Sequence, residues 1–221
     1  MLHNKVNLNS DQKGNKVKDL RFSKAVSYLF HPIIFPLIGT LIYLFTTPRY
    51  TSKKTKILLL IVVFVGTYIL PIVLLVFLKG LGMIKSFHLT AIEERKFPTL
   101  FFSFLAILVG RLFFQIQVVD DLAIFFVSGG LSFLLLYGIL WLQIKVSIHT
   151  LGIGGLIGFL INLSLVFHHN YLYTIALLFF FFGILANARL KLKAHSFLEV
   201  VWGLIIGLLV QLLVPLIYQN I

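Results

Sequence analysis

No cysteine occurs among the 221 residues. Its absence excludes disulfides, thiolate catalysis, and zinc or iron–sulfur sites built on cysteine. Charge is scarce as well: Asp, Glu, Lys and Arg make up 12% of the chain, about half their share in a soluble domain. Only seven residues are acidic, and they are not grouped as metal ligands. No low-complexity tract, internal repeat or soluble domain is evident. Residues 1–22, "MLHNKVNLNSDQKGNKVKDLRF", lack an apolar core and a small-residue cleavage site, so they read as a basic polar tail and not as a cleaved secretory signal.

What is abundant is hydrocarbon. Hydrophobic residues are 59% of the total, and 23 residues are phenylalanine. A helix needs about 20 apolar residues to cross the hydrocarbon core of a bilayer. Stretches of that kind recur near 25–46, 57–78, 98–117, 121–142, 150–167, 171–187 and 198–218. The expected fold is all-α: a polytopic transmembrane helix bundle of about seven spans (six to seven, the fifth and sixth being short), forming a single domain over residues 23–221. Pro32, Pro36, Pro71 and Pro215 fall within spans, where neighbouring groups must satisfy the freed backbone. Gly154 and Gly158, four apart on one face of the fifth span, permit close helix packing.

The net charge is +12. Basic residues beside membrane spans set topology and contact anionic lipid, so the expected partners are membrane lipids and not nucleic acid; the oligomeric state is open. With seven spans, fourteen of the nineteen Lys and Arg lie on one side, and Arg49, Lys53, Lys54 and Lys56 on the other. The positive-inside rule makes the rich side, which holds the N-terminus, cytoplasmic.

Polar groups ill-suited to a membrane gather in three breaks: "KSFHLTAIEERKFP" (85–98), "KVSIHT" (145–150) and "ARLKLKAHSFLE" (188–199). Two spans separate each break from the next, so parity puts all three on one face. Ionisable residues at such depth mark function by default. Arg95, Arg189, Lys96 and Lys145 offer positive charge and donors for phosphate oxygens, and Ser147 adds a hydroxyl. His149 and His195 titrate near neutrality; one can attack phosphorus while the other protonates the leaving oxygen. His195 and Glu199 are four apart, so if the last helix has begun there the carboxylate lies beside the imidazole and fixes its tautomer. His31, next to Pro32, reads as a packing or kink residue. Lys191 and Lys193 read as snorkelling topology markers, and the phenylalanine run 179–182 as lipid-facing bulk.

Arg189-x5-His195-x3-Glu199 resembles the third motif of the type 2 phosphatidic acid phosphatase superfamily, Ser-Arg-x5-His-x3-Asp, with its spacing intact. Val146-Ser147-Ile148-His149 resembles the second, Pro-Ser-Gly-His. The resemblance covers roughly residues 85–200. It implies that His195 is a nucleophile forming a phosphohistidine, that His149 is the acid for the leaving alcohol, that Glu199 orients the nucleophile, and that Arg189 binds phosphate. The family acts without metal, so no cofactor is implied. The implied substrate is a lipid phosphate: a phosphomonoester or diphosphate such as phosphatidic acid, phosphatidylglycerol phosphate or polyprenyl diphosphate, in the cytoplasmic (inner) membrane of a bacterium.

The chain departs from the family pattern at Ala188 for serine, Ile148 for glycine and Glu199 for aspartate. In the first motif, Lys-x6-Arg-Pro, aligning Arg95 leaves His88 for the lysine and Lys96 for the proline. Two alternatives stay open: a non-catalytic lipid-phosphate binder of the same fold, and a small anion transporter. Bacterial relatives commonly turn this site away from the cytoplasm, opposite to the charge count, so orientation is open too.

Overall fold

A computed structural model describes residues 18–219 apart from His88, Thr90 and Val118. The described chain is helical, with no strand, and seven segments are long and apolar enough to cross a membrane. They are Lys18–Thr46, Lys53–Gly80, Ile92–Phe114, Asp120–Trp141, Ile148–Phe167, Leu172–Lys191 and Phe197–Tyr218. The expected count of seven therefore stands, with shifted ends. The third span starts at Ile92 instead of 98, the sixth runs on to Lys191 instead of 187, and the first begins at Lys18, inside the expected tail. Long charged side chains run their stems along apolar surface, so a helix continues past its last apolar residue. Residues 1–17 of that tail lie outside the described residues.

The first two spans are irregular. Helix α1 (18–29) breaks at Phe30 and His31, passes through a 3₁₀ turn (Pro32–Ile34), and resumes as α2 (Phe35–Thr46). Pro32 has no N–H to continue the α1 ladder, and His31 Nδ1 accepts instead from the Ile33 N–H at 3.5 Å. The second span, α3 (Lys53–Phe64), runs through one π turn (Val65–Ile69) into α4 (Leu70–Gly80). Pro71 is the second residue after that turn, where the widened backbone accommodates the missing donor.

The other five spans are α5 (Ile92–Phe114), α6 (Asp120–Trp141), α7 (Ile148–Phe167), α8 (Leu172–Lys191) and α9 (Phe197–Gln219). α5 pairs with α6 and α7 with α9. The α7–α9 contact is backbone to backbone. A Cβ on Gly158 would come within 2.8 Å of the Leu208 carbonyl oxygen, and one on Gly154, Gly203 or Gly207 would collide with Leu204, Thr150 or Leu151. The spacing of Gly154 and Gly158 thus does what small residues do in membranes, where close approach replaces the hydrophobic drive between helices. Phe125 of α6 stacks on Phe159 of α7 at 4.2 Å near buried Tyr43 of α2. α8 is peripheral. Phe179 and Phe180 are exposed, but Phe181 and Phe182 pack against the core, Phe181 meeting Phe30 at 5.1 Å. Only part of the phenylalanine run is outward-facing bulk.

Candidate active site

Four helix ends and the break after α1 converge at one end of the bundle. α8 stops where Lys193 takes a left-handed conformation, φ 52°, which an L-residue helix cannot continue. Ser196 then starts α9, its Oγ accepting from the Glu199 N–H at 3.4 Å, an N-cap. His195 stands just ahead of that cap, and its Nδ1 lies 2.6 Å from Glu199 Oε2. The bond expected along a helix face is therefore made across a helix start. Gly203 lets α9 lie against the beginning of α7, where the Ser147 N–H donates to the Glu199 carbonyl at 3.1 Å. Ser147 Oγ caps α7, accepting from the Thr150 N–H at 3.5 Å, and His149 occupies the first turn.

Two guanidiniums flank this pair. Arg189, in the last turn of α8, donates from a terminal nitrogen to Ser27 Oγ at 3.4 Å, while its buried Nε has no partner among the described residues. Arg95, buried in the first turn of α5, donates from Nε to the Leu89 carbonyl at 2.7 Å. It thereby holds the preceding loop, whose Leu89 is left-handed with φ 46°. Neither guanidinium forms a salt bridge among the described residues. Glu93 and Glu94 do not neutralise Arg95 by contact: Glu93 pairs with Lys96 at 2.9 Å, and Glu94 accepts from the Lys85 N–H at 3.1 Å. Arg189 lies within electrostatic reach of Arg95, and both reach His195.

Burial pushes the His195 imidazole from its ordinary 6.5 down to about 4. The Glu199 hydrogen bond opposes that shift, and Arg189 and Arg95 add to it. The ring is held neutral because taking a charge out of water costs more than one carboxylate returns. With Glu199 ionised, Nδ1 carries the proton and donates, leaving the Nε2 lone pair free. A neutral, oriented imidazole of this kind is a nucleophile or a base.

The structure brings His195, Glu199, Arg189, Arg95, Ser147 and His149 to one place; His149 is within electrostatic reach of Arg189 and His195. Lys96 is not part of it. Its ammonium is committed to Glu93 and to the face of Trp141, 4.0 Å from the ring centroid, because adjacent positions on α5 are turned about 100° from one another. Lys145 is half-buried in the loop before Ser147 and makes no salt bridge among the described residues. His88 lies outside the described residues.

Two residues that sequence reasoning left out belong to the cluster. The His31 ring meets the His149 ring edge-on, with centroids 5.6 Å apart and planes at 78°. His31 does shape the kink, as expected, yet it also faces the site; an ionisable side chain inside a span was the available signal. Ser27 contacts Arg189 through its hydroxyl and His149 through its main chain. A serine in a span is ordinary interhelical glue, so nothing in the sequence singled it out.

Among the described residues no group of three His, Asp or Glu is placed to hold a metal ion. Compared with protein-family models, curated proteins and solved structures, the chain matches none.

Proposed function

We propose that this membrane protein is a lipid phosphatase that cleaves a phosphomonoester or diphosphate through a phosphohistidine, the activity implied by its motif resemblance to type 2 phosphatidic acid phosphatases. One observation carries the reading. A neutral histidine oriented by a carboxylate, His195–Glu199 at 2.6 Å, lies within electrostatic reach of two guanidiniums that have no salt bridge among the described residues. Arg95 is buried and Arg189 half-buried, Glu199 and Glu94 act on Arg95 without touching it, and an anionic headgroup in contact would offset the cost of holding both charges there.

The chemistry follows from the placement. Nε2 of His195 attacks phosphorus and forms the P–N bond as the P–O bond to the leaving group breaks. The leaving oxygen takes a proton from His149, which enters the step as an imidazolium charged when the anionic headgroup binds. Arg189 and Arg95 bind the non-bridging oxygens, whose charge spreads in the transition state, and Glu199 stabilises the imidazolium character of the phosphorylated ring. Water then loses a proton to His149 and attacks phosphorus, the P–N bond breaks, and phosphate leaves with His195 neutral again. A headgroup at this depth belongs to an amphiphile, and the excess of Lys and Arg on the face that carries the site favours the cytoplasmic side of the membrane.

A second reading, a non-catalytic lipid-phosphate binder, is favoured by Ala188. It is 3% exposed and packed in the core where the motif has a phosphate-binding serine. Phosphate release from lipid phosphates by detergent-purified protein in EDTA separates the two: release abolished by His195→Ala supports the enzyme, and binding without release supports the binder.

A further inference from the structure

Behind the cluster, inside the bundle, lies a cavity of about 130 Å³. His31 stands in its wall, and so does Ile148, the neighbour of His149; the space therefore begins where the site ends. Beyond them the lining is aromatic and aliphatic, with Phe102 and Ala106 from α5, Phe133 from α6 and Leu151 from α7. Its few polar side chains are turned to other duties. Thr67 Oγ1 donates to the Val63 carbonyl at 2.8 Å, Ser132 Oγ to Ser128 at 2.9 Å, and Gln211 Nε2 to Phe125 at 2.9 Å.

The irregular backbone points to the same space. Pro32 and Pro36 from the broken first span, and Gly66, Thr67 and Pro71 from the π-turned second, all line it. Non-helical backbone at membrane depth is tolerated where protein or a cavity surrounds it, and π turns recur at functional sites. Gly129 of α6 also lines the cavity, and a Cβ there would meet nothing within 4 Å. Both irregular spans and a missing side chain keep this volume open.

We propose that the cavity receives the hydrocarbon segment next to the phosphate of a lipid alcohol phosphate or diphosphate, a prenyl or alkyl chain attached directly to the phosphate oxygen. The headgroup part of this proposal rests on the phosphatase reading of the His195 site. An apolar cavity of about 150 Å³ holds a benzene-sized guest, so this one takes roughly five or six carbons. A prenyl or alkyl phosphate presents only hydrocarbon over that length. A glycerolipid presents a glycerol and ester carbonyls there, and these would be buried against donors already bonded elsewhere, at about 1–3 kcal/mol for each unsatisfied group. The chain enters the protein beside His31 and does not lie wholly in the bilayer.

Photolabelling tests this without requiring turnover. The probe is dodecyl phosphate carrying a diazirine within about five carbons of the phosphate, used on the full chain in detergent. The expected labels fall on Phe102, Ala106 and Leu151. Gly129→Leu, which fills the open space, reduces labelling about tenfold or more, the equivalent of about 1.4 kcal/mol. Gly138→Leu, on the same helix at an exposed position where a Cβ also meets nothing, leaves labelling unchanged and controls for folding. Unlabelled dodecyl phosphate competes at least tenfold better than a phosphatidic acid. Labels confined to exposed Phe104 and Leu134, indifference to Gly129→Leu, or equal competition by phosphatidic acid would overturn the proposal. Cavity labelling with no phosphate release in EDTA sinks the phosphatase reading alone; phosphate release with labels outside sinks the cavity alone.

Discussion

His195 Nδ1 and Glu199 Oε2 lie 2.6 Å apart, with Ser196 between them as the start of α9. The carboxylate is thus delivered by the first turn of a helix to a residue that is not in the helix. Glu199→Gln keeps the shape but removes the preference for a proton on Nδ1. Phosphate release from a lipid phosphate is expected to fall roughly 10²- to 10⁴-fold in kcat, the range for losing proton control at an oriented histidine. A loss under about threefold would show that the pair is structural only.

The acid side of the pH profile carries a sign. Glu199 raises the His195 pKa while burial lowers it to about 4, so removing the carboxylate lowers it further. The acid limb of kcat/KM for Glu199→Gln should lie at lower pH than that of wild type, despite the smaller rate. Comparing both proteins on one substrate cancels the substrate's own titration. A limb that moves up would mean that another group sets it.

Stability responds to the same group. The folded value near 4 is below the ordinary 6.5, so between those values the unfolded chain binds more protons. The contribution is fully present above about pH 6.5 and is lost as pH falls toward 4. Thermal midpoints in detergent should decline over that window in wild type and decline less in His195→Asn. Parallel declines would assign the effect elsewhere.

Arginine and lysine differ where two oxygens are bound at once. Arg189→Lys is expected to cost roughly 10- to 100-fold in kcat/KM, one or two good charge-assisted bonds. Lys96→Met, whose ammonium is occupied by Glu93 and Trp141, should stay within about threefold in the same assay. Equal losses would return Lys96 to the site.

The α7–α9 contact has no room for a side chain. Gly207→Leu, directed at the Leu151 carbonyl, should destabilise by at least the ~1–3 kcal/mol of overpacking, read as a lower midpoint of intrinsic Trp141 and Trp202 fluorescence. An unchanged midpoint would show that the two helices separate at little cost.

Some of this was legible early because of how membranes constrain a chain. Every backbone group must be satisfied inside the segment, so apolar length alone reported the seven spans, and alternation of sides reported that 85–98, 145–150 and 188–199 share a face. The spacing of Arg189, His195 and Glu199 named a pair that the structure joins. The paired glycines 154 and 158 named a close contact.

Other features depended on three dimensions. That Lys96 points away while its neighbour Arg95 points in is set by which side of α5 meets the bundle, and adjacent residues on a helix do not share a side. His31 and Ser27 reach Arg189 and His149 from the far end of the chain, an encounter that no local pattern encodes. The cavity beside His31 exists only because two broken spans and Gly129 leave the same volume unfilled. The sequence by itself determined that this chain lives in a membrane and where its polar chemistry gathers, since the bilayer fixes length and parity. Which charges lack a salt bridge among the described residues, and what space opens beside them, was decided by packing, because burial and contact belong to pairs of residues brought together from distant parts of the chain.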